Sequence, residues 1–238
     1  LEAEQGAESG LLVVSDMQSA GRGRRGRGWE SPAGINIYYT LMLKPDFSSD
    51  CAPMLTLVMA LAVAKGIRQT LRRDSEEAAA KVGIKWPNDI VVDGKKVCGI
   101  LTEMSMEQGY IQHIVIGVGI NVRKQEFPEE IRDRAAAIDE QCGFRISRSQ
   151  LIADIMEAFE EDYEIFLRTH DLKGLRASYA ELLVNQDREV CVLDPKGEYR
   201  GIARGINDQG ELLVERQDGT VEEVYAGEVS VRGIYGYV

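Results

Sequence analysis

Residues 35–71, INIYYTLMLKPDFSSDCAPMLTLVMALAVAKGIRQTL, decide the fold class. Ile35 to Leu43 is rich in β-branched and aromatic side chains and carries no charge, so it predicts a strand in the middle of a sheet. Pro45 ends it. Pro53 suits the first turn of a helix, which Leu55, Val58, Met59 and Ala62 carry on to about Leu71. Its first half is apolar almost all round and must be covered on most sides. The run from Met54 to Ala64 stops at Lys65, well short of the ~20 residues a membrane helix needs. A core helix follows a core strand, the start of an α+β layer.

On the N-terminal side, Leu11 to Val14 reads as a short buried strand leading into a Gly- and Arg-rich segment, Gly21 to Gly28, which reads as an irregular loop. On the C-terminal side come Val82 to Trp86, Asp89 to Val92 and Val97 to Glu103. The last two flank Asp93-Gly94-Lys95-Lys96, where Asp-Gly predicts a hairpin. Tyr110 to Val122 is a further strand with two glycines near its end. Ser147-x-x-Gln150 forms a capping box before Leu151, Ile152, Ile155, Met156, Phe159, Tyr163 and Phe166, which share one helical face. Another helix is expected from about Leu172 to Leu183.

From Asp187 the texture changes to short strands: Glu189 to Leu193, Tyr199 to Ile206, Glu211 to Arg216, Val221 to Tyr225 and Val229 to Val231. Pro195-Lys196-Gly197, Asn207 to Gly210 and Asp218-Gly219 part them. The expectation is two domains. A mixed β-sheet with helices packed on it spans 1–185, and a small all-β barrel spans 186–238.

Composition narrows the function classes. The 238 residues carry 28 Lys and Arg against 39 Asp and Glu, a formal charge of −11, which argues against a general binder of nucleic acid or anionic membrane. The 4 cysteines are scattered and the histidines number 2, so neither a zinc cluster nor a disulfide framework is expected. Reduced thiols and the polar, acidic start LEAEQGAESG point to the cytoplasm and away from a signal peptide.

Against that acidic background, Arg22, Arg24, Arg25 and Arg27 alternate with Gly21, Gly23, Gly26 and Gly28. Glycines let backbone N–H groups approach an anion, and guanidinium forks bind carboxylate or phosphate bidentately. Gly21, Gly23 and Gly26 also spell G-x-G-x-x-G, but Pro32 and a strand follow instead of the helix a dinucleotide fold requires. By itself the segment reads equally as a solvated basic loop or an RNA-contact segment. Lys85-Trp86-Pro87-Asn88-Asp89 offers oxygen ligands at a strand end, and Asp89 could hold Mg²⁺. Taken singly it is an ordinary Asx-type turn, and Lys96 an exposed turn lysine. Gly117 and Gly119 would admit a ligand close to the backbone, with Asn121 able to read a base, or else they mark a crowded sheet crossing.

Taken together and in order, Gln18-x-x-Gly21-Arg22-Gly23-Arg24-Arg25-Gly26-Arg27-Gly28-Trp29, Lys85-Trp86-Pro87-Asn88-Asp89, Lys96-x-x-Gly99-Ile100-Leu101 and Gly117-Val118-Gly119-Ile120-Asn121 resemble the motifs of biotin protein ligases (biotin–[acetyl-CoA-carboxylase] ligases). Gly201 to Ile206 and Gly227-Glu228-Val229-Ser230 resemble that family's C-terminal SH3-like domain. The resemblance implies a class II synthetase-like catalytic domain and two steps. Biotin and MgATP give biotinyl-5′-adenylate and pyrophosphate, and the biotin then acylates a lysine of a biotin carboxyl carrier protein. It implies that Gln18, Arg22, Gly23, Arg24 and Lys96 line biotin and its carboxylate. Arg27, Lys85 and Asn88 would serve the triphosphate, Asp89 the magnesium or phosphate, and Trp29 and Asn121 the adenine. Arg24, Lys96 and Asp89 would form the catalytic set.

The resemblance also implies a possible homodimer through sheet edges near Ile111 to Val118. The family's Ser/Thr-Thr-Asn segment would lie upstream of Leu1, and the winged-helix domain of some members has no counterpart in these residues, so no DNA binding by them is expected. A lipoate–protein ligase is the nearest rival, against which the Gly-Arg loop and Lys-Trp-Pro-Asn-Asp favour biotin. A nucleic-acid module using the loop is the other, against which the 39 acidic residues count.

Overall fold

The structure is a computed structural model describing residues 3–194, 197–226, 230–233 and 237–238. Its elements run β1 (Leu11–Ser15), β2 (Ile37–Leu43), α1 (Met54–Arg72), α2 (Glu76–Ala80), β3 (Val82–Lys85), β4 (Asp89–Val92), β5 (Lys95–Glu107) and β6 (Tyr110–Ile120). Then follow α3 (Ile138–Cys142), α4 (Arg148–Thr169), α5 (Arg176–Leu182), β7 (Glu189–Asp194), β8 (Gly197–Ile206), β9 (Leu212–Glu215), β10 (Val221–Val224) and β11 (Ser230–Gly233).

The first sheet is six-stranded in the order β1-β2-β6-β5-β4-β3. Its ladders are antiparallel, and isolated bridges from Ile84 to Leu183 and from Lys96 to Ala135 add parallel pairing. Asp93 and Gly94 turn with φ of 52° and 74°, the left-handed pair a tight hairpin needs. Gln108 and Gly109 repeat it with φ of 50° and 88°, so β5 extends to Glu107 rather than stopping at Glu103 and folds straight back as β6.

One expectation changes here. Leu11 to Val14 is an edge strand rather than a buried one, with Val13 46% and Val14 52% exposed. Strand β6 is flanked by β5 along its length and by β2 from Ile114 to Ile120; sheet edges lie along β1, β3, the Tyr110 to His113 end of β6, and β5 beyond Gly99, where its ladder with β4 ends.

Helix α1 is long and apolar enough to cross a membrane, yet residues Val58 to Ala64 are fully buried within this fold. It packs between the sheet and α4. A Cβ at Gly66 would lie 2.8 Å from Ile155 Cα, so only glycine permits that crossing. Buried Asp154 of α4 clamps the pair, accepting from Thr70 Oγ1 at 2.5 Å and Arg73 Nη2 at 2.8 Å. Ser147 caps α4 by accepting from Gln150 N at 3.3 Å, but the Gln150 side chain donates to Asp154 Oδ1 at 3.0 Å. The capping box is therefore half closed. Helix α5 starts at Arg176 because Leu172 to Leu175 forms a turn, and α2 and α3 were not foreseen.

The second sheet is five-stranded and antiparallel, in the order β10-β9-β8-β7-β11. Trp86 Nε1 donates to Gly210 O at 2.9 Å and ties it to the β3–β4 turn. The Pro195-Lys196 turn and Gly227 to Val229 fall outside the described residues.

Candidate active site

The site grows from one alternation. Ile114, Ile116, Val118 and Ile120 of β6 turn their side chains into the core beneath α1, while Gly117 and Gly119 face the opposite side. There Gly119 pairs with Gly99 of β5 and Gly117 with Leu101. A Cβ at Gly119 would stand 2.5 Å from Trp29 Nε1, and one at Gly99 would stand 3.0 Å from Trp29 Cζ3. The indole thus lies flat on two glycines from neighbouring strands. At Gly117 the nearest atom a Cβ would meet is Leu101 O at 3.7 Å, so this stretch of sheet is open floor.

The Gly-Arg segment is more regular than an irregular loop. Arg22 bridges Gly28, Gly23 N donates to Arg27 O at 2.7 Å and Trp29 N to Gly21 O at 2.9 Å, around a 3-10 turn at Arg24–Gly26. Gly26 takes φ 72°, a left-handed conformation that costs glycine little. A Cβ at Gly21 would lie 2.2 Å from Trp29 O. The hairpin therefore needs its glycines for close backbone approach, and it hangs Trp29 over the sheet.

Arg24 is the hinge of the charged groups. Its Nη1 donates to Asn88 Oδ1 at 2.9 Å and its Nη2 to Ala226 O of the C-terminal region. Asn88 in turn donates from Nδ2 to Ile100 O at 3.1 Å. Asp89 is 9% exposed, with Lys96 Nζ 2.5 Å from its Oδ1 and the Tyr237 hydroxyl donating to its Oδ2. Lys85 Nζ stands 4.0 Å from the centroid of the Tyr237 ring. Burial alone would raise the Asp89 pKa, but the Lys96 and Lys85 charges and the hydrogen bonds from Lys96 and Tyr237 hold it below the ordinary carboxylate range. Asp89 is charged at neutral pH.

Two cavities meet at this cluster. The first, about 230 Å³, lies over Gly117, and Gln18, Arg22, Gly23, Arg24 and Lys96 all line it. The second, about 260 Å³, is lined by Arg27, Trp29, Lys85, Asn88, Asp89 and Asn121. Gly23, Arg24, Trp29, Asn88 and Lys96 line both, so the cations stand at the junction. Arg22 is solvent-facing, its side chain 71% exposed and paired with Glu103 Oε2 at 2.8 Å. Gln18 Oε1 accepts from Ser31 Oγ at 2.7 Å. Asn121 is 6% exposed, and its backbone N–H donates to Val97 O at 2.8 Å.

Sequence reading missed Thr40 and Glu103 in the first cavity and Arg134 and Tyr237 in the second. Glu103 could have been found, since it follows Leu101 by two on the same strand face. Arg134 and Tyr237 arrive from far along the chain with no local signal. Among the described residues no group of three His, Cys, Asp or Glu side chains could hold a metal ion. Asp89 is the one described carboxylate lining the second cavity, with both oxygens already engaged.

The arrangement can hold a carboxylate-bearing ligand in the first cavity and a polyphosphate in the second. Residues 2–121 match the biotin/lipoate A/B protein ligase family, and residues 187–232 match the biotin protein ligase C terminal domain. The chain is 37% identical over 233 residues to the bifunctional ligase/repressor BirA of Bacillus spizizenii, covering 96% of this chain and 68% of that protein. It is 29% identical over 234 residues to the biotin–[acetyl-CoA-carboxylase] ligase of Paracoccus denitrificans, covering 95% of each. The solved structure of the biotin protein ligase from Aquifex aeolicus in complex with biotin and ATP superposes with a TM-score of 0.81 at 29% identity, over 97% of this chain and 92% of that one.

Proposed function

This chain belongs to the biotin/lipoate A/B protein ligase family, and from that premise we propose how its two cavities divide the work of an ATP-dependent biotin–protein ligase. Biotin occupies the first cavity, its ring system over the Gly117 floor and its carboxylate toward Arg24 and Lys96. ATP occupies the second, its base toward Trp29 and Asn121 and its phosphates toward Arg27 and Lys85. Mg²⁺ would accompany ATP and neutralise phosphate charge, and Asp89, the one described carboxylate lining the second cavity, would be the residue to hold it.

In the first step a biotin carboxylate oxygen attacks the α-phosphorus, the bond to the β-phosphate oxygen breaks, and pyrophosphate leaves. Two anions must meet, so their repulsion has to be cancelled and the charge growing on phosphorus stabilised. Arg24 and Lys96, at the junction of both cavities, supply that charge. Asp89 holds the Lys96 ammonium at 2.5 Å and keeps it aimed. No protein nucleophile is needed.

The product is a labile mixed anhydride. The Gly-Arg hairpin, pinned through Arg24 to Asn88 and Ala226, covers it and keeps water away. In the second step a lysine amine of the carrier attacks the acyl carbon and AMP leaves. The acceptor is a carboxylase carrier domain, as the names of the relatives indicate. The observation that carries this reading is the cationic junction shared by the two cavities. Incubating the chain with MgATP, biotin and a biotin carboxyl carrier domain should add one biotinyl group to one lysine, read by mass. An unmodified carrier under conditions that biotinylate it with a known ligase would overturn the proposal.

A further inference from the structure

The second cavity is partly filled by the chain itself. Tyr237 lines it beside Lys85 and Asp89 and meets both: the hydroxyl donates to Asp89 Oδ2, and Lys85 Nζ stands 4.0 Å from the ring centroid. Arg27 and Arg134 line the same cavity, and their charges act on the Tyr237 hydroxyl. Resting on the two-cavity reading above, we infer that Tyr237 is a displaceable occupant of the pyrophosphate subsite. It gives way when the β- and γ-phosphates of MgATP enter and returns when pyrophosphate leaves.

Three observations carry this. The first is the charge pattern. A tyrosine offers a negative ring face and a positive hydroxyl hydrogen. Lys85 receives the one and Asp89 the other, and these are the groups to which MgATP would bring a phosphate and a magnesium ion. One side chain therefore stands in for both. A metal ion at Asp89 Oδ2 and the hydroxyl hydrogen repel each other, and Oδ1 is held by Lys96 at 2.5 Å.

The second is position. Tyr237 touches the groups assigned to phosphate and metal, whereas the base is assigned to Trp29 and Asn121. A nucleotide without β- and γ-phosphates leaves the tyrosine in place. The third is how it is held. A Cβ at Gly233 would collide with Val238 O, and one at Gly94 would stand 3.5 Å from Val238 Cγ2, so Val238 rests on two glycine positions. Tyr237 and Val238 are both partly exposed, so the side chain can leave without opening the core.

The consequence falls on both directions of the first step. In the empty chain Tyr237 keeps buried Asp89 engaged. After the first step the adenylate keeps the base and α-phosphate, and the tyrosine refills the space pyrophosphate vacates. Reversal needs a pyrophosphate oxygen to attack the α-phosphorus and expel the biotin carboxylate, so pyrophosphate must first displace Tyr237. The contact weakens MgATP and pyrophosphate binding by the same factor, set by the fraction of molecules in which the subsite is vacant.

Tyr237→Ala removes both contacts, and Tyr237→Phe removes the hydroxyl contact alone. Calorimetric titration of each folded chain with MgATP, magnesium pyrophosphate and AMP reads the occupant. The Kd for MgATP and for magnesium pyrophosphate should fall roughly tenfold or more in Tyr237→Ala, as for a subsite about one-tenth vacant in the parent. It should fall by less in Tyr237→Phe, and AMP should stay within about twofold of parent. Unchanged or weaker binding of magnesium pyrophosphate by folded Tyr237→Ala makes the tyrosine a wall of the site and overturns the inference. Equal tightening of AMP, or no binding of magnesium pyrophosphate by either chain, also overturns it. None of these titrations uses biotin. Biotinyl-adenylate formation by the parent, measured separately, reads the ligase assignment, so the two can fail independently.

Discussion

The two faces of the first sheet are written on the same strand in alternate letters. Along β6 the even positions, Ile114, Ile116, Val118 and Ile120, are large and buried against the helices. The odd positions near its end, Gly117 and Gly119, are bare. One face gains its stability from side-chain volume. The other gains its function from side chains left out, because the missing Cβ atoms make room for Trp29 at one glycine and open floor at the next. Stability and chemistry therefore sit back to back, separated by one backbone layer, and substitutions on the two faces should fail in different ways.

The largest effect should come from the cations at the junction. Lys96→Ala or Arg24→Ala should lower the rate of adenylate formation about 10²–10³-fold, the usual loss when a preorganised charge is removed. The intermediate should be lost or leak, while the melting temperature barely moves in Arg24→Ala and falls in Lys96→Ala, where buried Asp89 loses its ion pair. Wild-type adenylate yield in both variants would remove these residues from the chemistry. Next, Gly119→Val places a branched side chain where the Trp29 ring lies. Displacing that wall should cost about 10²-fold in adenylate formation, with a folded core seen by circular dichroism.

On the opposite face, Ile116→Ala should cost about 2–5 kcal/mol of stability in denaturant unfolding. Pyrophosphate exchange per folded molecule should stay near parent. A folded Ile116→Ala chain that loses exchange would break the separation of faces.

The smallest effect concerns acid. Burial would raise the Asp154 pKa, but hydrogen bonds from Arg73, Thr70 and Gln150 hold it below the ordinary carboxylate range. A depressed folded value stabilises at neutral pH, and that contribution is lost as pH falls from the ordinary range through the folded value. Asp154→Asn should therefore flatten the acid limb of the stability curve and leave the pH profile of exchange unchanged.

How much of this was legible in the sequence follows from how local each signal is. Helix α1 and strand β2 declare themselves through composition, and the Asp93-Gly94 hairpin through its turn residues. The Gln108-Gly109 hairpin carried a weaker form of that signal, because glutamine seldom takes a left-handed φ, so the return of β5 into β6 was not read. The exposure of β1 could not be read either, since its apolar run is the same whether the strand lies at the edge or the centre. At the site, every candidate residue is drawn into one of the two cavities, because ordered motifs preserve a constellation that single residues do not reveal. The seating of Trp29 on Gly99 and Gly119, the Arg24 link to Ala226 and the Tyr237 bond to Asp89 join distant segments. No local pattern encodes them.

The most direct test is exchange of labelled pyrophosphate into ATP by this chain, with biotin or lipoate as the acid and magnesium omitted as a control. Exchange that requires biotin and magnesium and is not supported by lipoate is the expected result. Exchange with lipoate alone would contradict the assignment of the first cavity to biotin, and a folded chain that exchanges with neither acid would contradict the adenylate-forming site itself.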